Sequence, residues 1–360
     1  MSWIGLRDKW GGAFSTVGLG RVASAPQDPD LVLEQGTILL EFAAIPGATD
    51  QVLFDYRSPE PLGLHFEIRL DLHGDLIITH SEVGARRTYR VDAGFVTRSA
   101  GVTLRFTWDQ AQGFGAISME VAETQAVFFE IVQQPEPLIL RDAVRMFACA
   151  KYMRLANGVK YAAIADHPMP HGPLPSLAGQ TLVATEKGRK QVADLKAGDL
   201  LKDAHGRSAQ VRWSGHVDLP ARGRFAPRQI CAPFHGARAD LMCSHDQLLR
   251  LAGSEVEYLF ATDFIAAKVG DLTHGVISVP IGQIPTVTYC QFVLDRPCTI
   301  DVAGALIQGL DICDIHSQVI PKSLSVLADL PQPLMPVQSP ARLDVLKPFE
   351  TVAWSQMQAA

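Results

Sequence analysis

Two short groups of cysteine and histidine have the side chains that could bind a metal ion. Three residues separate Cys231 from His235, and one residue separates Cys243 from His245. Zinc prefers thiolate and imidazole ligands, but the second spacing is shorter than the usual zinc arrangements. A zinc site is therefore an alternative, and our own expectation is that the protein needs no cofactor.

The cysteines as a whole indicate packing rather than covalent cross-linking. The chain contains 6 of them, with no Cys-x-x-Cys pair and no regular spacing. Free cysteines behave as small apolar side chains, and disulfides are rare in reducing compartments. We expect these thiols to lie in protein cores in a reducing compartment.

Residues 176–199 have the pattern of a β-hairpin that leads into a further strand. The turn is expected at Glu186 to Gly188, and the phrase Val-Ala-Asp-Leu-Lys-Ala-Gly-Asp follows it. This segment resembles the opening of the bacterial Hint (hedgehog/intein) autoprocessing domain. In that family, the residue that begins the domain attacks the peptide bond before it.

The resemblance implies a nucleophile at Ser176. The family starts with cysteine about five residues before the threonine of the hairpin, and counting back from Thr181 reaches Ser176. Its hydroxyl would attack the carbonyl of Pro175 and form an ester. A serine hydroxyl is far less ionised than a thiol near neutral pH, so it depends more on a nearby base.

The stretch 240–251 resembles the second family block, in which Ser/Thr-x-x-His follows a strand. Ser244 then occupies the Ser/Thr position and Gln247 the position of the histidine, and glutamine cannot carry a proton. On an extended backbone, positions two apart share a face, so His245 is the best remaining proton carrier. Asp246 could orient either group, and a histidine satisfied by other partners is the alternative.

The stretch 289–300 resembles a third block, Tyr-x-His-x-x-x-Asp-Arg-His-Glu. Tyr289 is kept, whereas Gln291 and Pro297 replace the two histidines. Asp295 and Arg296 are also kept, and we interpret them as a solvated turn pair.

The resemblance therefore implies self-cleavage or splicing by an acyl shift at Pro175–Ser176, weakened or lost here and at most a single turnover. Whether the chain is an enzyme stays open. The candidate site comprises Ser176, Ser244, His245, Asp246 and Gln247. The alternative is a noncatalytic binding or adhesin-like protein that acts through its N-terminal region.

Residues 30–150 have the strand pattern of a β-sandwich. In Gly101 to Trp108, apolar and polar residues alternate, which places Trp108 on a core face. This strand and its expected partner, 116–121, resemble the concanavalin or laminin-G type of jelly roll. Such a sandwich implies a glycan or a protein as a possible ligand, while the partner itself stays unknown.

The sequence thus predicts an all-β protein with an N-terminal jelly-roll-like β-sandwich and a C-terminal Hint-like β-fold. The predicted boundaries are 1–164 for the sandwich, 165–175 for a proline-rich linker, 176–331 for the Hint domain and 332–360 for an extended C-terminal arm. We expect solvated histidines at His167 and His171 in the linker, and one short helix at 261–268.

Composition excludes several classes of function. The formal charge of −6 and a pI of about 6.0 leave no basic footprint for nucleic acid. No apolar run reaches the length of a membrane span, and the first residues lack the order of a secretory signal. Localisation stays unknown, with the cytoplasm as default and signal-independent secretion open. Neither a Gly-x-Ser-x-Gly elbow nor a phosphate-binding loop is present.

Overall fold

The computed structural model describes residues 2–22, 27–43, 50–60, 63–82, 84–92, 101–124, 126–279, 284–336 and 344–357. The chain divides into two compact units, Met1–His171 and Gly172–Ala360. The division falls inside the segment that the sequence predicts as a linker.

The described part of the first unit consists of antiparallel strands and one helix. Its elements are β1 (Trp3–Asp8), β2 (Gly11–Phe14), β3 (Val32–Leu33), β4 (Gln35–Phe42), β5 (Gln51–Arg57), β6 (His65–Leu70), β7 (Leu76–Glu82), β8 (Ala85–Val91), β9 (Val102–Asp109), β10 (Phe114–Val121), β11 (Val127–Gln133), β12 (Leu138–Ile139), α1 (Leu140–Ala148), β13 (Met153–Leu155) and β14 (Val159–Ala165).

These strands form a β-sandwich. One sheet has the order β11-β10-β9-β4-β14-β1-β2, a second has the order β13-β5-β6-β7-β8, and β12 pairs with β3. The alternating apolar side chains of both sheets meet in one core, with Phe106 from the first sheet and Phe54 and Phe66 from the second. The predicted sandwich is confirmed.

Trp108 belongs to this core, as its position on the apolar face predicts. It is 1% exposed and lies directly opposite Gly36 across the β4–β9 pair. A Cβ at Gly36 would lie 2.3 Å from the indole ring, so the glycine leaves the space that the ring fills. The indole N–H donates to the carbonyl of Leu33 at 2.8 Å.

The segment after β14 packs on the first unit, and this corrects the expectation of a solvated His171. The imidazole is 1% exposed; its Nε2 lies 2.9 Å from Thr107 Oγ1 and its Nδ1 lies 2.7 Å from Ser118 Oγ. The proline-rich composition predicts an extended backbone for this segment, but it does not predict which side chains the segment contacts. The two hydroxyls of the outer sheet face supply the partners that solvent was expected to supply.

The second unit is also mostly β. Its elements are β15 (Leu177–Ala178), β16 (Leu182–Thr185), β17 (Gly188–Gln191), β18 (Leu200–Lys202), β19 (Ser208–Pro220), β20 (Pro227–Ile230), β21 (Leu241–Ser244), β22 (Leu248–Ala252), α2 (Ser254–Phe260), β23 (Phe264–Lys268), β24 (Val276–Ser278), β25 (Thr286–Leu294), β26 (Thr299–Val302), β27 (Ala305–Gln308), α3 (Cys313–His316) and α4 (Pro348–Met357).

The strands of the second unit join in one continuous antiparallel network. The order is β23-β22-β27-β26-β16-β18-β19-β25-β15-β21-β20-β24, and β17 pairs with β16 at the predicted hairpin, where Thr185 faces Gly188. The core contains Val183, Leu249, Phe292 and Ile307. The all-β class predicted from the sequence is confirmed for both units.

Two predicted elements of this unit are wrong. The helix lies at α2, before the predicted 261–268, because Ala261 adopts a left-handed conformation that ends it. The apolar residues that follow pair with β22 and form β23 instead. The tail is not extended throughout, because α4 forms and buries Trp354 in the core of the unit.

Among the described residues, no helix combines the length and the apolar character that a membrane crossing requires.

Candidate functional site

Ser176 lies where the three sequence blocks meet. It precedes β15, whose Leu177 pairs with Cys243 of β21 on one side and with Cys290 of β25 on the other. The backbone N–H of Ser244 donates to the carbonyl oxygen of Ser176 at 2.7 Å. A short strand between two longer ones therefore fixes Ser176 beside residues more than sixty positions away.

Three buried polar side chains close on one another at this point. The hydroxyl of Ser176 donates to Gln247 Oε1 at 2.7 Å, and Gln291 Nε2 donates to Ser176 Oγ at 3.1 Å. Gln291 Nε2 also lies 3.1 Å from Gln247 Oε1. The exposed fractions of Ser176, Gln247 and Gln291 are 8%, 2% and 1%. We call these three residues the Ser-Gln-Gln cluster.

The backbone fixes the orientation of both amides. Gln247 Nε2 donates to the carbonyls of Leu248 at 2.9 Å and Gln308 at 3.1 Å, which leaves its oxygen for the serine. Gln291 Oε1 accepts from the N–H of Phe292 at 3.2 Å, which leaves its nitrogen for the serine. Donors and acceptors match throughout, so the cluster pairs polar groups that burial would otherwise penalise.

This arrangement provides no proton transfer. An acyl shift needs a base or a lowered pKa to activate the hydroxyl and an acid to protonate the departing nitrogen. The side-chain amides of Gln247 and Gln291 are neutral and do not exchange protons in this way. The Ser176 hydroxyl is held by these two amides, and neither of them can act as its base.

His245 points into a different environment from the one predicted. Residues 244–247 form a turn, closed by the Gln247 N–H and the Ser244 carbonyl at 3.3 Å, so the extended backbone assumed from the sequence is absent here. The Nδ1 of His245 lies 3.4 Å from Asp246 Oδ1, and the Nε2 of His245 lies 3.5 Å from Asp271 Oδ1. The expectation that His245 shares a face with Gln247 is therefore wrong.

Asp246 belongs to the same charged group as His245. Burial alone would raise the pKa of its carboxyl, but the Arg224 guanidinium and the Lys268 ammonium hold that pKa well below its usual range. Lys268 Nζ lies 3.5 Å from Asp246 Oδ1, and Arg224 Nε donates to Oδ2. Asp246 is thus an ionised partner of two cations, with no hydrogen bond to the Ser-Gln-Gln cluster among the described contacts.

The alternative zinc ligands do not converge. His235 Nε2 bonds to the carbonyl oxygen of His274 at 2.7 Å, and His245 lies between two aspartates. Burial raises the pKa of the Cys243 thiol to about 12, which disfavours the thiolate that zinc requires. Within the described residues, the grouping that could hold a metal ion is Asp55, His65 and Glu67 of the first unit.

Sequence reasoning left Gln291 out of the candidate site. The third block indicated this residue, because Gln291 stands where the family has a histidine. It was excluded because a glutamine side chain cannot carry a proton.

Asp295 and Arg296 are also not a turn pair with each other. Asp295 Oδ1 accepts from the N–H of Gln210 at 3.0 Å, and Arg296 Nη2 donates to Asp203 Oδ2 at 2.9 Å.

The family model of the Hint domain matches residues 175–311. This range contains all three members of the Ser-Gln-Gln cluster and begins one residue before Ser176. The comparison with curated proteins found no match.

Solved structures similar to this chain include two kinds. The CBM40 of the Ruminococcus gnavus IT-sialidase bound to α2,3-sialyllactose is 11% identical, with coverage of 37% of this chain and 76% of that chain and a TM-score of 0.28. The MchDnaB-1 intein is 16% identical over 37% of this chain and 98% of that one, with a TM-score of 0.24. The gp41-1 intein is 13% identical over 38% and 99%, also with a TM-score of 0.24. Likenesses of this size carry no argument about function.

Proposed function

We propose that self-processing at the Pro175–Ser176 bond has been lost in the Hint domain, which the family model matches over residues 175–311. The domain then serves as a stable structural unit in a two-unit protein. Recognition through the β-sandwich is the alternative role for the chain, with a glycan or a protein as the ligand.

The hydrogen bonds of Ser176 carry this proposal. Its hydroxyl donates to one glutamine and accepts from another, and both glutamines are held by backbone groups. A hydroxyl has a pKa far above that of a thiol, so without a base its reactive form is scarce at neutral pH. The three side chains lie together, but serine and two glutamines stand where the resemblance implies a cysteine and two histidines.

Burial supports the same conclusion. Pro175 and Ser176 are both buried. In such a place, a charged intermediate needs donors that are already aimed at it. The amide donors near Ser176 Oγ are used by ground-state hydrogen bonds, so cleavage would have to break the cluster that stabilises the unit.

Restoring the reactive groups tests the proposal. The triple variant Ser176→Cys, Gln247→His, Gln291→His supplies a thiol and two imidazoles at the three clustered positions. We expect a chain break before residue 176 in the triple variant, seen by mass spectrometry after expression. We expect Ser176→Cys alone to stay intact, because a thiol without a proton donor does not release the amide.

The matched control carries both histidines with Ser176→Ala. It should stay intact, because no nucleophile remains to attack the Pro175 carbonyl. A break in the unaltered chain that Ser176→Ala abolishes would contradict the proposal and establish that the native serine reacts.

A further inference from the structure

A cleft in the second unit lies beside the Ser-Gln-Gln cluster. Its volume is about 310 Å³, within the range of small-molecule sites. Gln308 connects the two places, because its backbone carbonyl accepts from Gln247 while the residue lines the cleft. The function proposed above does not use this cleft.

The charges that line the cleft are unbalanced. Arg207, Arg250 and Arg296 line it together with the single carboxylate of Asp203. Arg207 Nε lies 3.0 Å from Asp203 Oδ2, and Arg296 Nη2 lies 2.9 Å from the same oxygen. This carboxylate therefore forms ion pairs with two of the three arginines. The cleft therefore carries a surplus of positive charge.

Arg250 contributes to this positive charge, and contacts with two neighbouring side chains position its guanidinium. Its guanidinium lies over the ring of Phe264, 3.9 Å from the centroid, and its Nη1 lies 3.4 Å from Thr299 Oγ1. Among the described residues no carboxylate forms an ion pair with Arg250, and its buried Nε has no hydrogen-bond partner. A guanidinium that lies over a ring can still donate from its N–H groups to a planar anion such as a carboxylate.

Apolar side chains form much of the remaining lining, beside the polar His205 and Thr299. Val293, Leu294, Leu310 and Ile312 contribute aliphatic side chains. Gln308 Oε1 is buried and, within the described part of the chain, has no donor. A buried acceptor without a donor costs free energy that a ligand N–H would recover.

We propose that this cleft binds an organic monocarboxylate whose apolar body carries an amide N–H, the chemistry of an N-acylated apolar amino acid. The carboxylate meets Arg250, the apolar body covers the aliphatic wall, and the N–H reaches Gln308. The ligand carboxylate is assigned to Arg250 because the guanidinium groups of Arg207 and Arg296 already bind Asp203.

The test uses the full chain and N-acetyl-phenylalanine as the probe, followed by calorimetry. Saturable binding is expected, and the uncharged N-acetyl-phenylalanine amide should bind about tenfold more weakly or not at all, since a hydrogen bond to a charged group is lost. Arg250→Gln should weaken the probe by about tenfold, and Arg250→Lys by less because it keeps the charge. Arg238→Gln, an exposed arginine bound to Asp301 outside this cleft, is the matched control and should leave affinity unchanged.

The reactivity of two free cysteines can show where the probe binds. Cys298 lines the cleft and is half-buried, whereas Cys231 is half-buried elsewhere. Saturating probe should slow the alkylation of Cys298, measured residue by residue by mass spectrometry, and leave Cys231 unchanged.

Three results would overturn the proposal: no saturable binding, equal binding of acid and amide, or full affinity in both Arg250 variants when their thermal unfolding shows that they are folded. None of them depends on whether Pro175–Ser176 is cleaved, so the two proposals fail separately.

Discussion

Gln247 has a structural role in the Ser-Gln-Gln cluster. Its side chain bonds to Ser176, to Gln291 and to the carbonyls of Leu248 and Gln308. We predict that Gln247→Met lowers the free energy of unfolding of the second unit by about 3 kcal/mol, because it leaves buried groups without partners. Urea denaturation measures this change.

The matched control for that change is Gln191→Met, at an exposed position of β17. It should alter the free energy of unfolding by less than about 0.5 kcal/mol. Equal effects of the two substitutions would show that the hydrogen bonds of Gln247 do not stabilise the unit.

His171 makes the stability of the first unit depend on pH. Burial, with a smaller effect from Arg105, lowers the pKa of the imidazole to about 3. In the unfolded chain the histidine binds a proton near pH 6.5, so between that pH and the folded pKa the unfolded state holds more protons. The stabilisation is complete above the unfolded pKa and is lost as the pH falls.

We predict that this residue contributes a loss of about 2 kcal/mol between pH 7 and pH 5. His171→Gln keeps a donor and an acceptor for Thr107 and Ser118 but cannot titrate. Denaturation at several pH values should therefore give a smaller acid-induced loss for the variant than for the native chain. Parallel curves for the two proteins would show that His171 does not titrate in this way.

At the scale of elements, a close packing contact of the first sheet joins β4 to β9. A Cβ at Gly36 would lie 2.3 Å from Trp108 and 2.9 Å from the carbonyl oxygen of Ala165. We predict that Gly36→Ala destabilises the first unit by about 1–3 kcal/mol, since neither the buried indole nor the backbone can move freely. Thermal unfolding measures the effect.

Gly101→Ala is the control for that substitution. Among the described residues, its new methyl would meet the Cβ of Ala122 alone, at 3.1 Å. It should cost clearly less than Gly36→Ala, and an equal cost would attribute the loss to glycine chemistry in general rather than to the indole.

Local pattern was sufficient for the strands but not for every element. Alternation predicted β9 and its partner β10 closely, because the two-residue period is a property of the strand itself, and turn residues predicted the β16–β17 hairpin. The segment that became β23 has no such signature, and its pairing with β22 decides its structure. The same limit applies to α4, whose burial depends on distant residues.

The candidate site shows the same division. The order of the sequence blocks identified Ser176 and Gln247, which the structure brings into contact. The position of Gln291 could not be predicted from chemistry, because it depends on β15 lying between β21 and β25. The predicted location of His245 was wrong because a turn interrupts the strand, and the alternation of apolar and polar residues gives no sign of this turn.

At the scale of the whole molecule, the chain joins a β-sandwich unit to a unit that carries the Hint domain. In the second unit, Ser176, Gln247 and Gln291 lie together and satisfy one another's hydrogen bonds. We predict that the two units stay in one covalent chain.

The mass of the freshly expressed full-length protein, with and without hydroxylamine, tests this claim most directly, because hydroxylamine cuts esters and spares amides. We predict a single full-length mass under both conditions. Fragments that meet at Pro175 and Ser176, released or increased by hydroxylamine, would show that Ser176 still forms an ester and would contradict the account.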